Sequence, residues 1–163
     1  MIGVEIFITI LLWSAALMVG IMAGVYFAFS VFVMQSLDVV ERSSGMIAMQ
    51  SINRVIQKSL FVLIFFTSSL ACLTLAILGG MAWSDADAWQ MAFGGGLYII
   101  GMLVVTIVGN VPLNNGLEGT DADGGDAETM WRRYMSRWLP WNHVRTISCL
   151  ASLGLLISAI AER

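Results

Sequence analysis

The chain has 163 residues, of which 58% are hydrophobic and only 12% charged, and its mean hydropathy of +0.84 is far above that of an average soluble domain. This balance excludes an ordinary soluble fold and points to an integral membrane protein. A net charge of −3, with 8 scattered Lys and Arg, excludes a nucleic-acid binder built on a basic surface.

Four apolar runs, at residues 6–34, 60–82, 91–113 and 146–161, predict an all-α fold. The expected architecture is a single membrane domain over residues 1–163, a four-helix transmembrane bundle whose helices extend into the cytoplasmic interface. A span needs about 20 residues, so the first three runs qualify outright. The fourth must borrow residues from the tryptophan-rich stretch before it. No Lys or Arg precedes the first run, which is longer than the ~7–15 apolar residues of a secretion signal, so it reads as a retained span. Arg42, Arg54 and Lys58 fall between spans one and two, and Arg132, Arg133, Arg137 and Arg145 between or beside spans three and four. The connection at residues 82–90 has only Asp85 and Asp87. The positive-inside rule then places both termini outside and the two basic connections in the cytoplasm, with a bacterial inner membrane as the expected location. Cys72 and Cys149 each lie inside an apolar run, as buried reduced thiols do.

Span one carries Ala16, Gly20, Gly24 and Ala28 at intervals of four. Such a stripe admits a closely packed helix, from this bundle or, through Gly20 and Gly24, from a second copy in a homo-oligomer. Tyr26 and Ser30 put two hydroxyls on a neighbouring face, and Gln35 arrives at the cytoplasmic end. No Gly or Pro interrupts residues 46–78, which predicts one long helix entering the membrane. Gln50, Asn53, Arg54 and Gln57 form its polar stripe and Met46, Met49, Ile52 and Ile56 its apolar one. Gln50 and Gln57 are expected among lipid headgroups, with Asn53 and Arg54 as candidates for an inward role. Trp83 and Trp89 suit an outer aromatic belt, and Gly94-Gly95-Gly96 reads as a packing site. Asn110 and Asn114 share a face around Pro112, either satisfying a carbonyl that the proline frees or contacting a ligand. Residues 116–127 read as a mobile Gly- and Asp-rich loop without calcium-loop spacing. Asp126 is a plausible helix cap, followed by a Glu128–Arg132 pair, with Trp131 and Tyr134 expected at the interface.

The segment Trp138-Leu139-Pro140-Trp141-Asn142-His143-Val144-Arg145 holds the only histidine, one of 2 prolines and two of 6 tryptophans. On a helix, Trp138, Trp141, Asn142 and Arg145 share a face, while Pro140 predicts a kink or a fresh start at Trp141. Alternating spans gather Gln35, Asn53, Arg54, Asn110, Asn114, Asn142, His143 and Arg145 at one end of the bundle, around a pocket between helices. One histidine and two separated cysteines do not make a zinc or dicopper site; haem through His143 and one of the 11 methionines is possible in principle but nothing marks the pair, so no metal or other cofactor is assigned. Proton abstraction remains: an imidazole accepts protons near neutrality, and Arg145, Arg54 and the amides would stabilise the resulting oxyanion. On an ideal helix, however, His143 projects about 100° from Asn142 and about 200° from Arg145, so it need not share their pocket.

Gly24-Val25-Tyr26-Phe27-Ala28-Phe29, Met49-Gln50-Ser51-Ile52-Asn53, Gly109-Asn110-Val111-Pro112-Leu113-Asn114 and Trp138…Trp141-Asn142-His143-Val144-Arg145 together resemble, in order, the anthrone-oxygenase-like family of small four-helix membrane proteins. The resemblance implies oxidation of anthrones to anthraquinones without a known metal or flavin, as attached to fungal members. It points to Asn53, Asn110, Pro112, Asn114, Trp138, Asn142 and Arg145; it does not place His143. On this reading the substrate is an apolar aromatic that partitions into membrane lipid. His143, or a water held by the asparagines, takes its proton, and Arg145 and Asn142 bind the oxyanion. Trp138 and Trp141 stack on the rings, with Asn53, Arg54, Asn110, Asn114, Tyr26 and Gln35 as further substrate contacts. A second reading is non-enzymatic: a membrane protein that binds lipid or quinone, or a small partner subunit.

Overall fold

The computed structural model describes residues 2–163, which form five helices and no strand. They are α1 (Ile2–Val39), α2 (Arg42–Ile56), α3 (Leu60–Met81), α4 (Ala88–Glu118) and α5 (Ala127–Ala161). All but α2 are long and apolar enough to cross a membrane. The four long helices form a ring in which α1 packs on α3 and α5, and α4 packs on the same two. Leu12, Val19, Met22, Leu75, Tyr98 and Leu156 fill the centre. Cys72 and Cys149 are buried there as free thiols.

The two poles of the ring differ. At one, Arg163 bonds Glu5 at 2.6 Å and lies 3.2 Å from Asp87, tying both chain ends to the start of α4. At the other, α2 lies across the ends of α1, α4 and α5. A second core of Met34, Met46, Met49, Leu117, Trp131 and Tyr134 holds it there. Trp131 and Tyr134, expected among headgroups, are therefore buried, because their rings are what α2 covers. Gln50, also expected there, points inward and donates from Nε2 to the Leu117 and Thr120 carbonyls at 2.8 and 2.9 Å. The Leu117 carbonyl is in the last turn of α4 and the Thr120 carbonyl just past its end, so Gln50 ties α2 to the point where the chain leaves α4. Leu117, Ala122 and Ala127 pack into the same core, which anchors the segment read as a mobile loop.

Two helix boundaries depart from expectation. The long helix predicted from Met46 breaks at residues 57–59, and Ser59 starts a new one by accepting from the Phe61 amide at 3.2 Å. A serine hydroxyl supplies the acceptor that an N-terminal turn lacks, so α2 can lie at an angle to α3. Conversely α5 runs unbroken through Pro140. The amide missing at Pro140 would have served the Ser136 carbonyl, and both residues are on the exposed face, where solvent or headgroups can take that role. Asp126 occupies the cap position of α5 without a side-chain hydrogen bond.

Within α1 and α4 the helix widens at Phe29–Val33, Ile99–Val104 and Thr106–Asn110, which are π-helical. Wide turns of this kind cluster at functional sites. The small-residue stripe of α1 is only partly used: Gly20 meets Leu153 at 3.7 Å, and Gly24 has open space above it. Helices α3 and α4 approach closely where Gly95 lies against the Cys72 carbonyl and Gly79 against that of Ala88. A methyl group on Gly95 would meet the Cys72 carbonyl and the amide and Cβ of Ala76, none of which a side-chain rotation can move, so Gly95→Ala should destabilise the fold by ~1–3 kcal/mol. Gly96→Ala, with nothing within 4 Å, should be neutral or better, as thermal unfolding in detergent would show.

Candidate functional site

Arg145 projects from α5 into the bundle and is 5% exposed. Its Nη2 donates to Asn142 Oδ1 at 2.8 Å and its Nη1 to Thr106 Oγ1 at 3.4 Å. The guanidinium lies 4.3 Å from the centroid of the Tyr26 ring and 5.1 Å from that of Trp138. Ion pairs among the described residues involve Arg42, Arg54, Arg132 and Arg163, and none reaches Arg145. A buried charge without a counter-ion is expensive. The two aromatic faces offset part of that cost, and two hydrogen bonds leave most of the five N–H donors unused.

Asn142, one helical turn before Arg145, is fully buried. Its Nδ2 donates at 2.8 Å to both the Tyr26 carbonyl and Ser30 Oγ. A main-chain carbonyl only accepts and a guanidinium only donates, so Asn142 has a single workable orientation. Ser30 lies in the wide turn of α1 and Thr106 opens a wide turn of α4. Ser30 Oγ also meets Thr146 Oγ1 and His143 Nδ1, each at 3.0 Å. Thr106 donates to the Met102 carbonyl at 2.7 Å, leaving its oxygen to accept from Arg145.

These groups form one wall of a cavity of about 430 Å³, a size that suits a drug-sized ligand. Asn53 and Asn114 contribute amides from α2 and α4, and Phe29, Ile52, Phe61 and Phe65 contribute apolar surface. Gln57 and Asn115 line it from an exposed position, as do Phe66 and Val111. The opening is thus polar on one side and apolar on the flank of the bundle. Trp131, Tyr134 and Trp138 stack in a column beside the cavity. Tyr134 Oη and Trp138 Nε1 both donate to Asn114 Oδ1 at 2.8 Å. Asn53 lies near the Tyr134 hydroxyl, yet its Nδ2 completes no hydrogen bond.

Of the residues singled out in the sequence, Tyr26, Asn53, Asn114, Trp138, Asn142 and Arg145 meet around this cavity. The others do not line it. His143 is on the outer face of α5, reaching the network only through Ser30. Trp141 is 41% exposed and packs over Gly109, where a Cβ would lie 2.8 Å from its ring. Successive helical residues turn about 100°; with Trp138, Asn142 and Arg145 inward, Trp141 falls on the edge of that face and His143 well off it. Gln35 is exposed, and Arg54 is outside, paired with Glu118 at 2.7 Å. Asn110 is fully buried behind the wall, its Nδ2 donating to the Trp138 carbonyl at 3.2 Å. It braces α4 on α5 rather than serving a carbonyl freed by Pro112. Thr106 was not anticipated, although it stands one turn before Asn110; the aromatic wall from Phe29, Phe61 and Phe65 had no signal apart from general apolarity. No Asp, Glu, His or Cys lines the cavity, and the described residues assemble no group of three or more His, Cys, Asp or Glu that could hold a metal ion. Asn142→Leu removes a hydrogen bond from each of the Tyr26 carbonyl, Ser30 and Arg145, so it should lower stability by at least ~1–3 kcal/mol, read as a lower unfolding temperature in detergent.

No curated protein and no solved structure matches the chain. A model of a family described as anthrone oxygenase matches residues 49–155. The matched stretch contains Asn53, Thr106, Asn114, Trp138, Asn142 and Arg145; only the α1 wall of the cavity, with Tyr26 and Phe29, precedes it. With more than half of its length matched, the chain belongs to the anthrone oxygenase family.

Proposed function

We propose that the protein is a membrane oxygenase that needs no cofactor, acting on a planar aromatic carbon acid of the anthrone type. The observation that carries this reading is Arg145, a buried cation without a carboxylate partner on the wall of an aromatic cavity. Such a site favours a ligand on which negative charge develops. An anthrone presents a ring carbonyl, and loss of a proton from the methylene carbon opposite turns that carbonyl into an oxyanion. Arg145 holds the oxyanion, Asn142 fixes the guanidinium, and Trp138 and Phe29 face the rings.

The enolate then gives an electron to O2, and the resulting pair combines to form a carbon–oxygen bond. Protonation yields a hydroperoxide, and loss of water from it leaves a second carbonyl. One CH2 and one O2 become one C=O and one H2O, so no external reductant is required. His143 is off the cavity, so the first proton passes to water at the polar side of the opening, near Gln57 and Asn115. The exposed Phe66 and Val111 at the apolar side suit a substrate arriving sideways from lipid. A wall without Asp, Glu, His or Cys also suits a second reading, a binder that holds a quinone carbonyl on Arg145 without turning it over. Oxygen uptake separates the two.

Purified protein in detergent should consume oxygen with anthrone and produce the quinone. Arg145→Met should lower kcat and kcat/KM together by about 10²–10³-fold while the protein still elutes as a folded species; unchanged turnover would remove the oxyanion role. His143→Ala should leave turnover close to that of the unaltered protein, and a large loss would restore the histidine as the base.

A further inference from the structure

We infer that Asn114 is a specificity-determining donor for a second oxygen of the substrate, separate from the one held by Arg145. The inference rests on the cavity being the oxygenase's substrate site. Asn114 Oδ1 accepts two hydrogen bonds at 2.8 Å, one from the Tyr134 hydroxyl and one from the Trp138 indole. An indole N–H donates and never accepts, so the amide cannot be flipped without facing its NH2 with another N–H. The Nδ2 of Asn114 therefore points away from the aromatic column. It forms no hydrogen bond among the described residues, and Asn114 lines the cavity. Its supports are rigid: Tyr134 is fully buried and stacked between Trp131 and Trp138, so the amide is held in place before any ligand arrives.

The cavity thus presents two donors whose polarity is set by their neighbours, on different helices. Arg145, on α5, is fixed by Asn142; Asn114, on α4, is fixed by Tyr134 and Trp138. Each suits an acceptor, and only Arg145 carries charge. The complementary ligand is a fused aromatic with the reacting carbonyl at one position and a hydroxyl or carbonyl oxygen elsewhere on its rings. Asn114 is half-buried, and an unsubstituted anthrone satisfies the first donor but covers the second with an apolar ring edge, taking its NH2 from water without a partner.

The test compares two ligands bound to the full chain in detergent without oxygen: anthrone, and an anthrone bearing a ring methoxy group remote from its carbonyl, whose oxygen can accept a hydrogen bond but not donate one. Quenching of tryptophan fluorescence reports binding. The unaltered protein should bind the methoxy compound at least ~10-fold more tightly. Asn114→Asp keeps an acceptor for Tyr134 and Trp138 but replaces the free NH2 with an oxygen, and should erase that preference. Its carboxylate repels the methoxy oxygen, an effect in the same direction as loss of the donor. A protein without preference, or an Asn114→Asp variant that retains it, overturns the assignment, and the first of these needs no variant to fold. Admitting air separates this from the catalytic reading. Preference without oxygen uptake sinks the oxygenase alone, uptake without preference sinks Asn114 alone, and failure to bind either ligand sinks both.

Discussion

Burying the charge of Arg145 is the constraint on which the site depends. An arginine inside a helical bundle ordinarily finds a carboxylate; here two aromatic faces, an amide oxygen and a threonine hydroxyl surround it instead. Each of these partners needs its own support. Asn142 can offer its oxygen to Arg145 because its NH2 is occupied by Tyr26 and Ser30. Trp138 is held by its indole bond to Asn114 and, at its carbonyl, by Asn110. The asparagines divide between those that line the cavity and one, Asn110, that only keeps the wall in position.

The wide turns fit this pattern. Ser30 lies within the widened segment of α1, and Thr106 and Asn110 lie within one of α4. A regular helix supplies one inward position every three or four residues. A wider turn changes that spacing and loosens the ladder of main-chain bonds, at a cost in stability. The cost is incurred beside Arg145 and at Ile99–Val104 one turn away, while α3, which contributes only apolar side chains to the wall, is α-helical throughout.

The helix α2 gives the cavity its end. Met46 and Met49 seat it on the aromatic column, Gln50 pins it to carbonyls at and just past the end of α4, and Asn53 and Ile52 face the cavity. Because Ser59 ends the continuity with α3, α2 crosses the bundle instead of extending it, and the space beneath it is left as cavity. Without that break the same residues would project beyond the ring.

Much of this was legible in the sequence, for physical reasons. Hydrophobic runs of membrane length define helices whatever their neighbours, and alternating direction assigns polar residues to one pole; Asn53, Asn114, Asn142 and Arg145 were found in that way. The spacing of Trp138, Asn142 and Arg145 is likewise local geometry. Tertiary structure decided the rest, because facing a cavity is a property of a pair of helices. The rotation of α5 that turns Arg145 inward carries His143 outward and Trp141 to the rim, and no pattern within α5 selects that rotation. Which polar groups meet, and therefore whether Arg145 finds a carboxylate, depends on contacts between residues as far apart as Tyr26 and Asn142. Composition placed the charge in a membrane protein; only packing left it without a counter-ion.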